Sequence, residues 1–361
     1  MGIQRLLMGL ALLVLCACRS TNTTAPVATK FKCGDGSPMK VHFYDVGQGL
    51  AALVELPTGQ LVLVDAGESP TRAGCGKVCA GWNDRFLEQL SKDVAGRTIS
   101  LLWITHPHSD HIGGAASVMQ SNEVAVYADN GQGRNTSTVK KTLEAASERG
   151  VRIAEASSAL PESLLGHFDG LSVRGVLPPS LSDCKNPNDC SAGLRIDYCS
   201  SSVLFVGDAE NREESVLDIS GNATLLQVGH HGSETSSSES FVAKVNPKYA
   251  VISAAVQGEG TNRTFCHPRA GAIRRLSAAL GDEAGPPVTA FSGASCSKGG
   301  DEEWRSVPSS SHLFVTSRDG DVTLTTTGDG SFRREIRAGQ VAKAGGPLLT
   351  SVPSQPDENV Q

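Results

Sequence analysis

The chain has 361 residues, 32 of them Lys or Arg against 38 Asp or Glu, for a formal charge of −6. That balance excludes a protein that grips nucleic acid through a general basic surface, so any such binding falls to local patches. Beyond a short apolar leader the length allows one large core or two small ones; with no Pro/Gly/Ser linker between Lys40 and Thr327, one domain over 40–336 is expected.

Arg5 precedes the apolar run Leu6 to Leu15, which is too short to cross a bilayer and has the form of a secretory signal over 1–17. No transmembrane domain is expected. Leu15, Cys16, Ala17 and Cys18 resemble a bacterial lipobox, with Cys18 as the lipidated residue and the lipid as the sole membrane attachment; ordinary signal cleavage is the competing reading. Residues 18–39 then read as a Thr/Ser/Ala-rich tether leading into the domain. Eight cysteines remain, an even number in an exported chain, so disulfides are expected. Cys75 with Cys79 and Cys184 with Cys190 are the plausible short loops, while a cysteine zinc site lacks its paired CxxC spacing.

Val41 to Asp45, Ala51 to Glu55 and Leu61 to Asp65 read as consecutive strands. Trp82 to Val94 follows as an amphipathic helix, with Asn83 as its expected cap and Phe86, Leu87, Leu90 and Val94 on one stripe. The apolar run Ile99 to Ile104 is a buried strand, and a helix is expected from Ile112 to Met119. Between them, THPHSDHIGG places His106, His108, Asp110 and His111 within six residues. Imidazole and carboxylate suit zinc, iron or manganese, and four such groups this close can serve two ions. Pro107 disfavours helix at His106, so the first two rings can lean to one side, and Gly113 and Gly114 permit close backbone approach.

HxHxDH after an apolar strand is similar to the signature of the metallo-β-lactamase superfamily of hydrolases. VHFYDVGQG followed by LVLVDAG further resembles the opening of the metallo-hydrolase domain of ComEC-type competence proteins. That branch commonly writes DVGQGDA, whereas here Leu50 stands in the acidic position. The resemblance implies that Asp65 orients a ligand histidine from behind, with turn capping as the competing role, and it places Asp45 in the same supporting shell.

Beyond the motif, a strand at Val124 to Tyr127, a helix at Thr138 to Arg149 and a strand at Val151 to Ala154 read as scaffold. Arg134 lies in a Gly-rich loop that reads as a plain connection, and His167 reads as a surface residue. Asn188 to Asp208 reads as strand, turn and apolar strand ending at Gly207 and Asp208; it resembles the superfamily's bridging-aspartate motif, which holds two ions about 3.5–4 Å apart. Many members have a ligand histidine where this chain has Asn188 to Ser191, so Asn188, Asp189 or water is left to complete the first metal.

The strand Leu225 to Gly229 leads to His230 and His231, taken jointly as metal ligands, and then to Gly232 and Ser233, whose amides are placed for oxyanion oxygens. A helix at Glu239 to Val245 and a strand at Tyr249 to Ser253 follow. Next comes FCHP in place of the branch's YGHP, with His267 at the mouth of helix Arg269 to Leu280 as donor to a leaving oxygen and Cys266 as a disulfide candidate. Val288 to Phe291, His312 to Thr316 and Asp321 to Thr326 close the domain, and 337–361 is expected to be a polar tail.

The fold implied is the four-layer αββα sandwich, α/β in class, with two mixed sheets flanked by helices. The function implied is metal-dependent hydrolysis with two divalent ions, zinc or manganese, and Asp110, Asp208 and His267 as catalytic groups. A phosphodiesterase or nuclease acting on DNA leads. A lactamase or lactonase on the same metals is second, and a tethered DNA-binding module with a degenerate site is third. Arg263, Arg269, Arg274, Arg275 and Lys244 are the candidate cations at the rim.

Overall fold

The computed structural model describes residues 32–337, apart from 161, 166–168, 182–183, 185, 282 and 297–302. The expected signal, Cys18, the tether up to 31, His167 and the chain after 337 lie outside the described residues. No helix among the described residues is long and apolar enough to cross a membrane.

The first three expected strands form as β1 (Met39–Phe43), β2 (Ala52–Glu55) and β3 (Leu61–Val64), paired antiparallel in sequence. Helix α1 (Lys77–Val94) begins earlier than the apolar stripe suggested, and its added turn contains Cys79, bonded to Cys75. Asn83 is therefore buried inside the helix and caps nothing. After β4 (Ile99–Trp103) the expected helix is broken into α2 (Ser109–Ile112) and α3 (Ala115–Ser121). The break sits at Gly113 and Gly114, where a Cβ would strike the Ser69 amide and the Ser109 and Ala66 carbonyls.

The chain continues through β5 (Val124–Asp129), α4 (Ser137–Glu148), β6 (Arg152–Glu155), α5 (Glu162–Leu165), β7 (Leu171–Val176), β8 (Gly193–Tyr198), β9 (Ser201–Phe205) and α6 (Asn211–Glu214). Then come β10 (Leu225–Gln227), α7 (Glu239–Val245), β11 (Tyr249–Ile252), α8 (Asn262–Phe265), α9 (Ala270–Ala279), β12 (Ala284–Phe291) and β13 (Trp304–Ser310). Last are β14 (Leu313–Val315), α10 (Thr316–Asp319), β15 (Val322–Thr326) and β16 (Arg333–Glu335).

Among the described residues one sheet runs β16-β15-β1-β2-β3-β4-β5-β6 and a second runs β14-β11-β10-β9-β8-β7, with β12 and β13 as a separate ribbon. Both sheets are mixed: β3 to β6 are parallel, as are β9, β10, β11 and β14. Alternate side chains of the two sheets meet face to face, Val41, Phe43, Val64 and Trp103 from one against Leu194, Ile196, Phe205 and Val251 from the other. The reverse side of the first sheet packs Leu53, Leu63 and Leu102 on Phe86, Leu90, Val118 and Ala145 of the helices. The second sheet is covered likewise by α7 and α9 through Phe241, Val245, Ile273 and Leu276. The expected αββα sandwich results, each fully buried Leu, Ile or Phe contributing about 1.5–3 kcal/mol.

β7, β13 and β16 escaped the sequence reading because edge strands need only one bonded side and carry mixed polarity. Arg337, assigned to the tail, is placed: its guanidinium meets Asp93 at 2.9 Å beside the Tyr44 ring. All eight remaining cysteines pair, as Cys33–Cys199, Cys75–Cys79, Cys184–Cys190 and Cys266–Cys296.

Candidate metal centre

Parallel strands end at the same edge of a sheet, and here the ends of β3, β4, β9, β10 and β11 deliver their following residues to one place. β3 delivers Asp65, held at φ 57°. Its carboxylate accepts from the Thr105 amide and the Thr105 hydroxyl, each at 2.8 Å, and from His111 Nδ1–H at 2.7 Å. The Thr105 hydroxyl spends its one O–H as donor to Asp65, so its 3.1 Å contact with His106 must be His106 Nδ1–H donating to Thr105. His231 Nδ1–H donates to the Ser253 carbonyl at 2.8 Å. All three rings therefore have Nδ1 engaged behind them and Nε2 free to face the centre.

His106, His111 and Asp208 bring ligand atoms within 4.8 Å of one another, as do Asp110, His111 and His231. His111 Nε2 faces His231 Nε2 at 3.3 Å, and His231 Nε2 is 3.4 Å from Asp110 and 3.5 Å from Asp208. Asp208 Oδ1 lies 3.1 Å from His111 Nε2 but off the hydrogen-bond direction, leaving that oxygen buried and without a hydrogen-bond partner. Two imidazole nitrogens thus face each other beside the buried Asp208 and the half-buried Asp110.

The electrostatics divide the rings in the same way. Burial opposes charge on His111 and His231, but Asp208, with Asp65 behind the first and Asp110 beside the second, outweighs it, holding His111 well above the ordinary imidazole range and His231 up to about 10. Burial and then the charge on His111 push His106 well below that range, and burial lowers His108. Asp208 overcomes its own burial through His111, His231 and His230 and stays far below the usual carboxylate range. Protonated imidazoles thus hold the place of cations among carboxylates, and this donor set fits divalent metal.

His230 and His231 both have positive φ, 48° and 55°, but diverge. His231 joins Asp110, His111 and Asp208. His230 is part-exposed, its Nε2 3.9 Å from Asp208, its Nδ1 3.3 Å from Glu210, and Asn188 Nδ2 lies 3.4 Å from it. His108 Nδ1 faces His106 Nε2 at 3.0 Å. Asn188 sits in the 3-10 turn Pro187–Cys190, inside the Cys184–Cys190 loop, with its Oδ1 buried and unpartnered.

A cleft of about 490 Å3 opens over this cluster, lined by His108, Asp110, Asp208, His230 and His231 together with Gln48, Glu68, Arg72, Phe265, His267 and Arg269. Burial, then repulsion from His230, His231 and Arg269, keeps His267 well below the ordinary imidazole range, hence neutral. Burial and the Asp110 charge push Glu68 up to about 7.

Several expected roles do not hold. Neither Gly232 nor Ser233 lines the cleft, because the Ser233 amide donates to the His230 carbonyl at 2.9 Å and Gly232 packs beside Pro268. Asp45 is not behind a ligand; its amide donates to Asp321 at 2.8 Å and its carboxylate accepts from Gly47. The N-terminus of α9 is taken by Glu234, which accepts from the Gly271 amide at 3.1 Å. Lys244 and Arg275 are turned onto backbone carbonyls of Leu217, Ser236 and Ser237, and Arg274 does not line the cleft. Arg263 likewise bonds Gly74 and Gly260. Arg134, as expected, is structural, forked onto Asp129 at 2.7 and 2.8 Å. The position of Leu50 serves through its backbone: its amide donates to the Asp110 backbone carbonyl and its carbonyl accepts from the Gly67 amide, while the side chain joins the core.

Sequence reasoning missed Thr105, Ser253, Gln48, Arg72 and Gln227. The last is buried, accepts from the Val206 and Gly207 amides and donates to the Gly207 and Val228 carbonyls, so it fastens the turn that presents Asp208. A glutamine ending a buried apolar run was the available signal; Arg72 offered none.

The sequence profile described as Metallo-beta-lactamase superfamily matches residues 44–256, more than half of the chain, and the chain belongs to that superfamily. It is similar to ComE operon protein 3 of Bacillus subtilis, 28% identical over 66% of this chain and 30% of that protein. It is also similar to Recombination protein 2 of Haemophilus influenzae, 29% identical over 59% of this chain and 24% of that protein. Competence protein ComA of Neisseria gonorrhoeae is 29% identical over 66% of this chain and 29% of its own length. The chain thus spans less than a third of each of these relatives.

Proposed function

We propose that this metallo-β-lactamase superfamily member is an exported phosphodiesterase that cleaves DNA at a centre of two divalent ions, zinc or manganese. The observation that carries the reading is the convergence of three Nε2 atoms with the buried Asp208 and half-buried Asp110 carboxylates on the floor of a cleft whose walls hold Arg72, Arg269 and a neutral His267. Asp110, His111 and His231 would hold one ion, His106, His108 and His230 the other, and Asp208 both. Bound ions would lower the pKa of water toward about 7 and offset phosphoryl charge. The chain itself supplies the rest. Asp65 and the Ser253 carbonyl orient the rings, Arg72 and Arg269 attract the anionic substrate against the overall charge of −6, and His267 offers a hydrogen bond to the leaving oxygen.

Relatives named for competence and recombination support DNA as the substrate. Four disulfides support export, since an oxidising compartment preserves them. Attachment through a lipid on Cys18 completes the proposal, and Cys18→Ala should move the protein from the membrane to the soluble exported fraction.

The deciding experiment offers bis-p-nitrophenyl phosphate and plasmid DNA to the manganese- or zinc-loaded protein, with and without chelator, beside nitrocefin and an acyl-lactone. Chelator-sensitive cleavage of the phosphodiesters is expected. Turnover of nitrocefin or lactone alone would replace this reading with the amide or ester one, and DNA binding without turnover would point to a binding module.

A further inference from the structure

The DVGQG loop carries the family resemblance, yet none of the chemistry above uses its glutamine. Gln48 is about 1% exposed and lines the cleft, and its Nε2 donates to His267 Nδ1 at 3.2 Å. The backbone of His267 is fixed independently by the fully buried Asn262, whose Oδ1 accepts from the His267 amide at 2.8 Å and whose Nδ2 donates to the His267 carbonyl at 2.7 Å. The two loops share a support: a Cβ on Gly47 or on Gly260 would strike the same Trp82 indole. Cys266, next to His267, is tied to Cys296. The backbone at His267 is thus held by Asn262 and by the neighbouring disulfide, and Gln48 is the group that meets the ring at Nδ1.

An amide NH2 can only donate, and an imidazole nitrogen that accepts its hydrogen bears no proton, so the ring proton is on the other nitrogen. We propose that Gln48 is a positioning residue that holds His267 as its Nε2–H tautomer, making it a hydrogen-bond donor to the leaving oxygen and not a base. This rests on the phosphodiesterase reading. The balance is simple: hydroxide oxygen forms the new P–O bond, the old P–O bond breaks with its electron pair on the leaving oxygen, and that alkoxide takes a proton from bulk water. His267 keeps its own proton throughout. Such a donor matters most where charge concentrates on an alkyl oxygen and least for a nitrophenolate, which spreads it over the ring.

The test uses the full chain with Gln48→Leu, which removes the donor, and Gln48→Glu, whose carboxylate accepts from Nδ1–H and so imposes the opposite tautomer. Nitrogen NMR of His267 in the chelated protein should find Nδ1 unprotonated in the natural sequence and protonated in Gln48→Glu. With metal restored, both variants should lose about 30-fold on a dinucleotide with a sugar leaving group and about threefold on bis-p-nitrophenyl phosphate, below the ceiling for one oriented donor. Equal losses on the two substrates, or a protonated Nδ1 in the natural sequence, would overturn the proposal. If the natural protein cleaves neither phosphodiester, the hydrolase reading falls and takes the leaving-group role with it; the ring nitrogens still decide separately whether Gln48 sets the tautomer.

Discussion

The two sides of the metal cluster are built from the same residue types but not to the same standard. On the side of Asp110, His111 and His231, both rings are buried, each is held from behind by a 2.7–2.8 Å hydrogen bond, and Asp208 lies within 3.5 Å of both. On the side of His106, His108 and His230, two rings are partly open, His106 and His230 stand 3.9 Å from Asp208, and the adjoining turn presents Asn188 and no histidine. Rings locked in place lose little freedom on binding, whereas loose ones must be ordered by the ion. The first side should therefore hold its ion tightly and the second exchange its own.

Asp208, shared by both sides, gives the largest effect. Asp208→Ala should empty both positions and lower turnover by about 10³-fold or more, and Asp208→Asn should keep the fold while losing turnover; metal content and rate measured together decide it. An Asp208→Asn protein that kept both metals and most of its activity would reduce Asp208 to a strand-end cap. His231→Ala should weaken the tight ion about 100-fold by chelator competition, against about tenfold on the exchangeable ion for His230→Ala. Similar losses at the two positions would erase the asymmetry. Asn188→His should sharpen it from the other direction by tightening the exchangeable ion.

Proton release separates the sides without mutation. His111 and His231 are raised above the ordinary range, so near pH 7.5 the tight ion must displace their protons, while His106 and His108, already lowered, release none. Calorimetry in buffers of different ionisation enthalpy should show release for the first ion alone. The sign for the metal-free fold follows: raised pKa values stabilise it fully below about 6.5, and this contribution is lost as pH rises through about 10.

The smallest effect lies away from the cluster. His42 and Arg97 flank Glu55 at 2.7 Å each and, against partial burial, lower it to about 2. Its contribution is present above about pH 4.5 and lost as pH falls toward 2; after solvent screening it should be about 1 kcal/mol. Acid titration of stability should show that loss in the natural protein and not in Glu55→Gln, equally with and without metal.

The cluster was largely legible because its members come in short motifs at strand ends, where apolar runs stop and His or Asp begins. His106, His108, Asp110, His111 and Asp208 needed no tertiary information to be singled out as candidates. The assignments that failed depended on where a group points: the Ser233 amide turned to His230, Asp45 turned to Asp321, and the mouth of α9 filled by Glu234. Hydrogen-bond direction is set by the partner: Asp321 and Glu234 lie many residues away, and His230, though only three residues from Ser233, is brought to it by a left-handed turn.

The αββα sandwich was what the family resemblance implied; from the sequence alone came the residue types able to hold metal, the alternation of strands and helices, and the even cysteine count. These are properties of local order, carried by alternation and by spacing within a few residues. The tertiary structure alone decided that His231 and not His230 joins Asp110 and His111, that Arg72 reaches the cleft, and that Gln48 meets His267 across 219 positions. Two adjacent residues with nearly the same backbone angles point their side chains apart, and only the strands packed around them determine which one faces the centre.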